Sequence, residues 1–539
     1  MRKKYLILLL TLFAFGLFGC TKEEPQIKDP IEDSFKSVSD DFTYYKSMKF
    51  NQNKILYVYG NDVTYSFGDV IIGQAIQGLF ARESAMFYYL ENNSEMYLAW
   101  LNDLVDNYGV IIEDISLEHM INMYKNEFID YGYILYNKDN LQSVNVACSL
   151  AGVLNYLPVD ISSKQKVDAL GIPLKLDVSL KSEKWCFDNY QFLFDNSGLV
   201  QLRGDIKHLR DYGIASKYFF FYPDSLSTST VKFRGEVHQW AKKDAPIFGW
   251  GPFSEDSHVG ISSQNGHFTI PSDYCYNMTI FTCLDLFNLL NIKQPNKSKG
   301  VVAEDNKHYV SFVRSDGDNV QTWYNFFPFN KKDMLAPRND FPMGWSIQPS
   351  LIDLGPNILN YVYQRADKND YFVCAVSGHG YIYPQTYANL KSFTESLSMY
   401  LRKTDLDIVQ ILDSGVSPDI VEAYSLIPEL KGGMYMFGDR YAGGKGSIYW
   451  SKNNKPFVTV RESLWDEITV DLAKRINSYK RDYTSIEGYT LINLHPWSMS
   501  YQDVAHLVSL LDPNVIVVSP DDFFDLIIKH VPRKNVILN

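Results

Sequence analysis

The chain is short of the residues that several function classes require. It has six cysteines in 539 residues, and none are spaced C-x-x-C. Neither a disulfide framework nor a zinc ribbon is supported. Past Cys20, the thiols of Cys148, Cys186, Cys275, Cys283 and Cys374 read as buried free cysteines, and only Cys275 and Cys283 suggest a pair in an oxidising space. Lysine and arginine form no block beyond the extreme N-terminus, and the formal charge is −12. An acidic chain without a basic stripe is a poor nucleic-acid binder, so a neutral substrate fits better than a polyanion. No G-x-S-x-G elbow and no G-x-x-x-x-G-K-[ST] phosphate loop occurs. No cofactor and no metal site is expected.

What is there begins with "MRKKYLILLLTLFAFGLFGC". Basic residues, an apolar run and a small residue before Cys20 read as an export signal, too short for a spanning helix of roughly 20 apolar residues. The ending "LFGC" resembles a bacterial lipoprotein signal. That resemblance implies residues 1–20 as signal, a lipid anchor on Cys20, and an outer-membrane lipoprotein facing the periplasm or the cell surface. Residues 21–40 are polar and contain proline, as a flexible tether does.

Residues 41–300 mix helical and strand patterns and read as an α/β region of one or more subdomains. "DVIIGQAIQGLFARESAMFYYLE" has helical spacing, whereas "YGYILYN", "VNVACSLAGV" and "YFFFYP" are strand-like. "FGWGPFSEDSHVG" reads as a loop carrying Glu255 and Asp256 beside His258, placed to close one side of a cleft. The polar "NIKQPNKSKG" marks a boundary near residue 300. Beyond it, eight apolar, β-branched runs alternate with helical patterns: "HYVSFVRS", "FPMGWSI", "YFVCAVS", "LDIVQIL", "GGMYMF", "PFVTVR", "YTLINL" and "NVIVVS". Strands apolar on both faces and separated by helices indicate a parallel sheet. Residues 301–539 therefore read as a (β/α)8-like, TIM-type barrel.

In such barrels the active site lies where strands end. Polar groups collect there. The first strand is followed by Asp316, Asp318 and Asn319, the fourth by Asp413, the fifth by Asp439 and Arg440, the sixth by Glu462, and the seventh by His495 and Trp497. Glycoside hydrolysis needs one protonated carboxyl and one carboxylate, and neighbouring acids push one proton affinity upward. Asp316, Asp318, Asp413 and Glu462 are the catalytic candidates. Asn319, His379, Tyr381, Tyr383, Asp439, Arg440, His495 and Trp497 are the substrate-binding candidates. Aromatic residues make up 15% of the chain, and their faces suit sugar rings.

After the third strand comes "SGHGYIYP". Glycines suit a sharp turn, but a plain turn does not require two tyrosines and a proline. Gly378, Gly380, Tyr381, Tyr383 and Pro384 spell G-x-G-Y-x-Y-P. On these residues the chain resembles the GxGYxYP family, bacterial secreted or lipoprotein sequences named for glycoside hydrolysis. The resemblance implies a carbohydrate substrate and covers most of the mature chain, but it brings no catalytic pair with it. Two alternatives remain open: a glycan-binding lipoprotein without turnover, and a polysaccharide deacetylase, for which an H-x-x-x-H pair is missing.

Overall fold

A computed structural model describes residues 35–539 other than 37, 93 and 326–340. The signal segment, Cys20 and the tether up to residue 34 lie outside the described residues. The fold is mixed α/β, built of helices and parallel sheets. Strand β1 (Ile55–Tyr59) is flanked by β2 (Phe87–Tyr89) and β3 (Ile111–Asp114). A second sheet sets β4 (Tyr133–Tyr136) between β5 (Leu157–Asp160) and β6 (Leu174–Asp177). A third joins β7 (Leu199–Gln201), β8 (Phe219–Phe221), β9 (Pro246–Gly249) and β10 (Phe268–Ile270) in the order β10-β9-β7-β8.

Two N-terminal expectations need correction. The segment "VNVACSLAGV" is not a strand but the centre of a helix, Leu141–Leu154. Every residue from Ser143 to Gly152 is buried, so no solvent face marks the helical period, and a continuous run cannot separate buried strand from buried helix. Its small residues permit close packing: a Cβ on Gly152 would stand 3.0 Å from the Ile214 carbonyl of helix Arg210–Ser216. The stretch "FGWGPFSEDSHVG" is only partly a loop. It starts at the end of β9 and runs into helix Glu255–Gln264, with Ser254 at the N-cap position.

The C-terminal sheet holds β11 (His308–Arg314), β12 (Met343–Ile347), β13 (Asp370–Cys374), β14 (Ile408–Leu412), β15 (Gly432–Met436), β16 (Ile448–Trp450), β17 (Pro456–Thr459), β18 (Glu462–Leu464), β19 (Tyr489–Leu494) and β20 (Val515–Val517). Each of the eight apolar runs contributes a strand. Pairing is parallel throughout, except where β16 lies antiparallel on β17. The stretch 456–464 is shared between two neighbours: β17 pairs with β15, and β18 pairs with β19. At the changeover the Val460 N–H donates to the Tyr435 carbonyl (3.1 Å) and the Arg461 N–H to the Leu491 carbonyl (2.9 Å). Hydrogen bonding thus leads from β11 through β12–β15 to β19, which pairs with β11 again over Tyr309–Arg314. The core of this half includes Val313, Val373, Met434, Leu491, Phe523 and Phe524, and Tyr381 of the glycine–tyrosine segment joins it.

Candidate active site

The turn after β11 is held in an unusual conformation. Asp316 has φ 64°, the left-handed region that a non-glycine residue enters only when its surroundings impose it. The next residue supplies the constraint. A Cβ on Gly317 would lie 1.8 Å from the Ser346 carbonyl, so only glycine lets the loop cross β12. The Gly317 N–H donates to Ser346 Oγ (3.0 Å), and its carbonyl accepts from Trp323 Nε1 (2.9 Å). Asp316 in turn accepts the Trp497 indole N–H on Oδ1 (3.0 Å) and the Ser315 hydroxyl on Oδ2 (2.5 Å). Two donors on one carboxylate suit it to carry negative charge. Asp318 is 3% exposed.

Asp316 and Asp318 line a cavity of about 210 Å³ together with Trp250, Glu255, Tyr381 and Tyr441. Beside it opens a second cavity of about 530 Å³, bordered by Asp256, Tyr383, Asp413 and Ser414. Glu255, Leu412 and Tyr441 border both.

The G-x-G-Y-x-Y-P segment is what brings Glu255 here. Tyr381 and Thr269 of β10 form an antiparallel bridge, N–H to carbonyl in both directions (2.9 and 3.0 Å). Gly380 permits that approach, since a Cβ there would meet the Phe268 ring at 2.2 Å. Gly378 turns the chain at φ 146°, against Phe393. The Tyr381 hydroxyl then donates to Glu255 Oε1, and the Tyr383 hydroxyl to Asp256 Oδ1 (3.0 Å). The Tyr383 N–H donates to Ser263 Oγ on the same helix (2.9 Å). After Pro384, the Gln385 N–H donates to Asp413 Oδ2 (2.7 Å).

The electrostatics follow from this crowding. Burial raises the proton affinity of Asp318 well above the usual carboxylate range, and Asp316 and Glu255 push it further. Burial also raises Glu255, with Asp316 and Asp256 adding repulsion, while the Tyr381 hydrogen bond pulls the other way. Asp413 is raised by burial against the two backbone N–H groups that it accepts. Tyr441 is raised by burial and by Glu255, Asp316 and Asp318. No lysine or arginine is among the described residues lining either cavity.

The sequence candidates divide accordingly. Asp316, Asp318, Asn319, Tyr381 and Trp497 line the inner cavity, and Asp413 and Tyr383 the outer one. His495 stands nearby, stacked on Trp465 with centroids 3.6 Å apart, and its Nδ1 pairs with Ser498 Oγ (2.8 Å). Burial lowers its proton affinity, against the pull of Asp316 and Asp466. Asp439 and Arg440 are exposed; Arg440 pairs with Asp466 (2.9 Å) and lines neither cavity.

Two candidates are displaced outright. Glu462 lines neither cavity: it accepts from Arg475 Nη2 (2.8 Å) and from the Tyr479 hydroxyl, beside helix Thr469–Ser478. His379 is fully buried between Tyr44, Phe393 and Tyr400, where burial drops its proton affinity to about 3. Both were expected on the rim because they follow strands, and both turn instead into packed layers. Trp250, Ser315 and Tyr441 belong to the inner cavity without having been singled out by sequence. The signal for Tyr441 was its place in the loop after β15, next to the charged pair that drew attention instead.

Comparison with known proteins follows the same division of the chain. The family model "GxGYxYP putative glycoside hydrolase C-terminal domain" matches residues 306–528. Models of the family's first, second and third N-terminal domains match 62–126, 131–192 and 196–283. The chain belongs to the GxGYxYP family. It is also similar to a crystal structure titled a putative hydrolase from Bacteroides thetaiotaomicron, with 28% identity and a TM-score of 0.81 over 92% of this chain and 99% of that one. A search of curated proteins finds no match. In family terms, Glu255 comes from the third N-terminal domain and Asp316 and Asp318 from the C-terminal domain.

Proposed function

We propose that this GxGYxYP protein hydrolyses a glycosidic bond in a poly- or oligosaccharide, at a cleft on the strand ends of a (β/α)8-like barrel. One observation carries the reading: Glu255, Asp316 and Asp318 share a cavity, with no cation among its described lining residues. Carboxylates crowded in this way keep a proton among them near neutral pH, which meets the need for one carboxylic acid and one carboxylate. Asp316, with its two donors, is the ionised member. Trp250, Tyr441 and Trp497 supply ring faces for sugar. The barrel reading rests on the parallel pairing that returns to β11, and on the position of the acids after strand ends. The names given to the family and to the similar crystal structure point to the same class. A deacetylase reading would recruit His379 to the cleft, and that residue is buried elsewhere.

The test is a hydrolysis screen of the chain from residue 21 onward against a broad glycan panel. Asp316→Asn is expected to lower the rate by about 10²–10⁴-fold. Glu462→Gln is expected to keep the activity per folded molecule. Binding without release of sugar would leave a glycan-binding protein, and acetate release would favour the deacetylase.

The N-terminal segment supports a second, separate proposal, that the protein is exported and anchored by lipid on Cys20. Cys20→Ser is expected to move it from the membrane to the soluble fraction of cells; unchanged membrane recovery would remove the anchor.

A further inference from the structure

Glu255 has a position that no other acid shares. A scissile glycosidic bond joins two sugar units, so its oxygen lies where two sugar-sized volumes meet. The residues bordering both cavities are Glu255, Leu412 and Tyr441, and Glu255 is the only carboxyl among them. Asp316 and Asp318 line the inner cavity alone, and Asp413 the outer one alone. We propose that Glu255, delivered to the barrel from the preceding domain, is the general acid that protonates the leaving oxygen, and that Tyr381 of the G-x-G-Y-x-Y-P segment is its positioning residue. The inference rests on the hydrolase reading above.

The assignment gives the segment a purpose. Its glycines let the loop approach β10, the bridge to Thr269 fixes the approach, and its tyrosines hold the first turn of helix Glu255–Gln264 by two carboxylates. Glu255 is faced by Asp316 and Asp318 from the turn after β11, by Tyr441 from the turn after β15, by Tyr381 and Tyr383, and by Asp256 on its own helix. Burial and the aspartates favour its protonated form, and the Tyr381 hydroxyl tempers that preference. In the reaction the Glu255 proton moves to the bridging oxygen as the bond from that oxygen to the anomeric carbon breaks, and the electron pair stays on oxygen. Asp316 acts on the opposite side, in the inner cavity. Water supplies the new hydroxyl at the anomeric carbon, and its other proton returns to the carboxylates.

The experiment uses the full chain and paired phenyl and dinitrophenyl glycosides of glucose, galactose, mannose, xylose and N-acetylglucosamine. A phenolate leaving group needs the proton; a dinitrophenolate does not. Glu255→Gln is expected to lose about 10²–10⁴-fold on the phenyl glycoside and less than about 10-fold on the dinitrophenyl one. Asp318→Asn is expected to show no such dependence on the leaving group. Tyr381→Phe removes a hydrogen bond that favours the Glu255 carboxylate, so the alkaline limb of the kcat/KM profile should move to higher pH. Equal losses on both glycosides for Glu255→Gln, or leaving-group dependence in Asp318→Asn instead, would overturn the assignment and leave the hydrolase reading intact. An unmoved alkaline limb in Tyr381→Phe would remove the positioning role. A wild-type protein that cleaves neither these glycosides nor any glycan would end the hydrolase reading and this assignment with it.

Discussion

Asp353 and Asp318 are equally buried, each 3% exposed, and both lie in the C-terminal half of the chain. Their surroundings are opposite. Asp353, on the short helix Leu351–Leu354, accepts from Lys403 Nζ (2.9 Å) and from the Tyr400 hydroxyl (2.9 Å). Glu462 belongs to the same class, with Arg475 and Tyr479 around it. Asp318 has Asp316 and Glu255 as its charged neighbours. Burying a carboxylate is costly unless a partner offsets it. In the packed layers the fold supplies the partner, and at the strand ends it gathers more acids. Burial alone therefore says nothing about function here; the sign of the neighbouring charge does.

The largest effect that would break this comparison is expected at Lys403. Removing one member of a buried pair leaves an uncompensated charge, at a cost of about 3–5 kcal/mol. Lys403→Met should lower the denaturant midpoint accordingly, with activity per folded molecule retained. Adding Asp353→Asn should recover most of the loss. A cost below about 1 kcal/mol would show that Asp353 is tolerated without its cation, and the contrast with Asp318 would lose its basis.

How much of this was legible in sequence depends on the distance to the partner. The eight C-terminal strands were readable because helices cover them and apolar residues fill both faces. Asp316 and Asp318 were readable because a charge that directly follows such a strand must emerge at its end. Glu462 satisfies the same criterion and fails it in space, because the stretch 456–464 changes partner from β15 to β19 at Val460–Arg461 and Glu462 then meets Arg475. The tyrosines at 381 and 383 looked like sugar-stacking groups. Both do reach the cleft, yet their hydroxyls serve acids 126 and 127 residues away in sequence. Gly380 looked like a turn residue and is a clearance for Phe268. Local spacing carries no trace of such partners. Glu255 was visible in "GWGPFSED", but nothing nearby announced that a tyrosine from another domain would hold it at the boundary of two cavities.

A smaller effect, of opposite sign, sharpens the same comparison at Asp318. Its proton affinity is raised in the folded protein, chiefly by burial and then by Asp316 and Glu255. An unfolded aspartate titrates near pH 4, at roughly 3.9. Below that pH both states hold the proton and the group costs nothing. As pH rises through the window between the unfolded and folded values, the unfolded chain releases its proton while the folded one keeps it. Stability then falls, by at most about 1.4 kcal/mol per pH unit for this one group. Asparagine does not titrate, so Asp318→Asn should match the wild type near pH 4 and gain on it progressively toward neutral pH. Glu255 is shifted in the same direction and remains in the variant, so part of the slope should persist. Thermal midpoints measured from pH 4 to 8 read the difference directly. Parallel curves would mean that Asp318 ionises normally despite its burial, and the acid cluster would then be no different from the compensated carboxylates of the packed layers. Diverging curves would show that the fold gives up stability at neutral pH to keep a proton in the cleft.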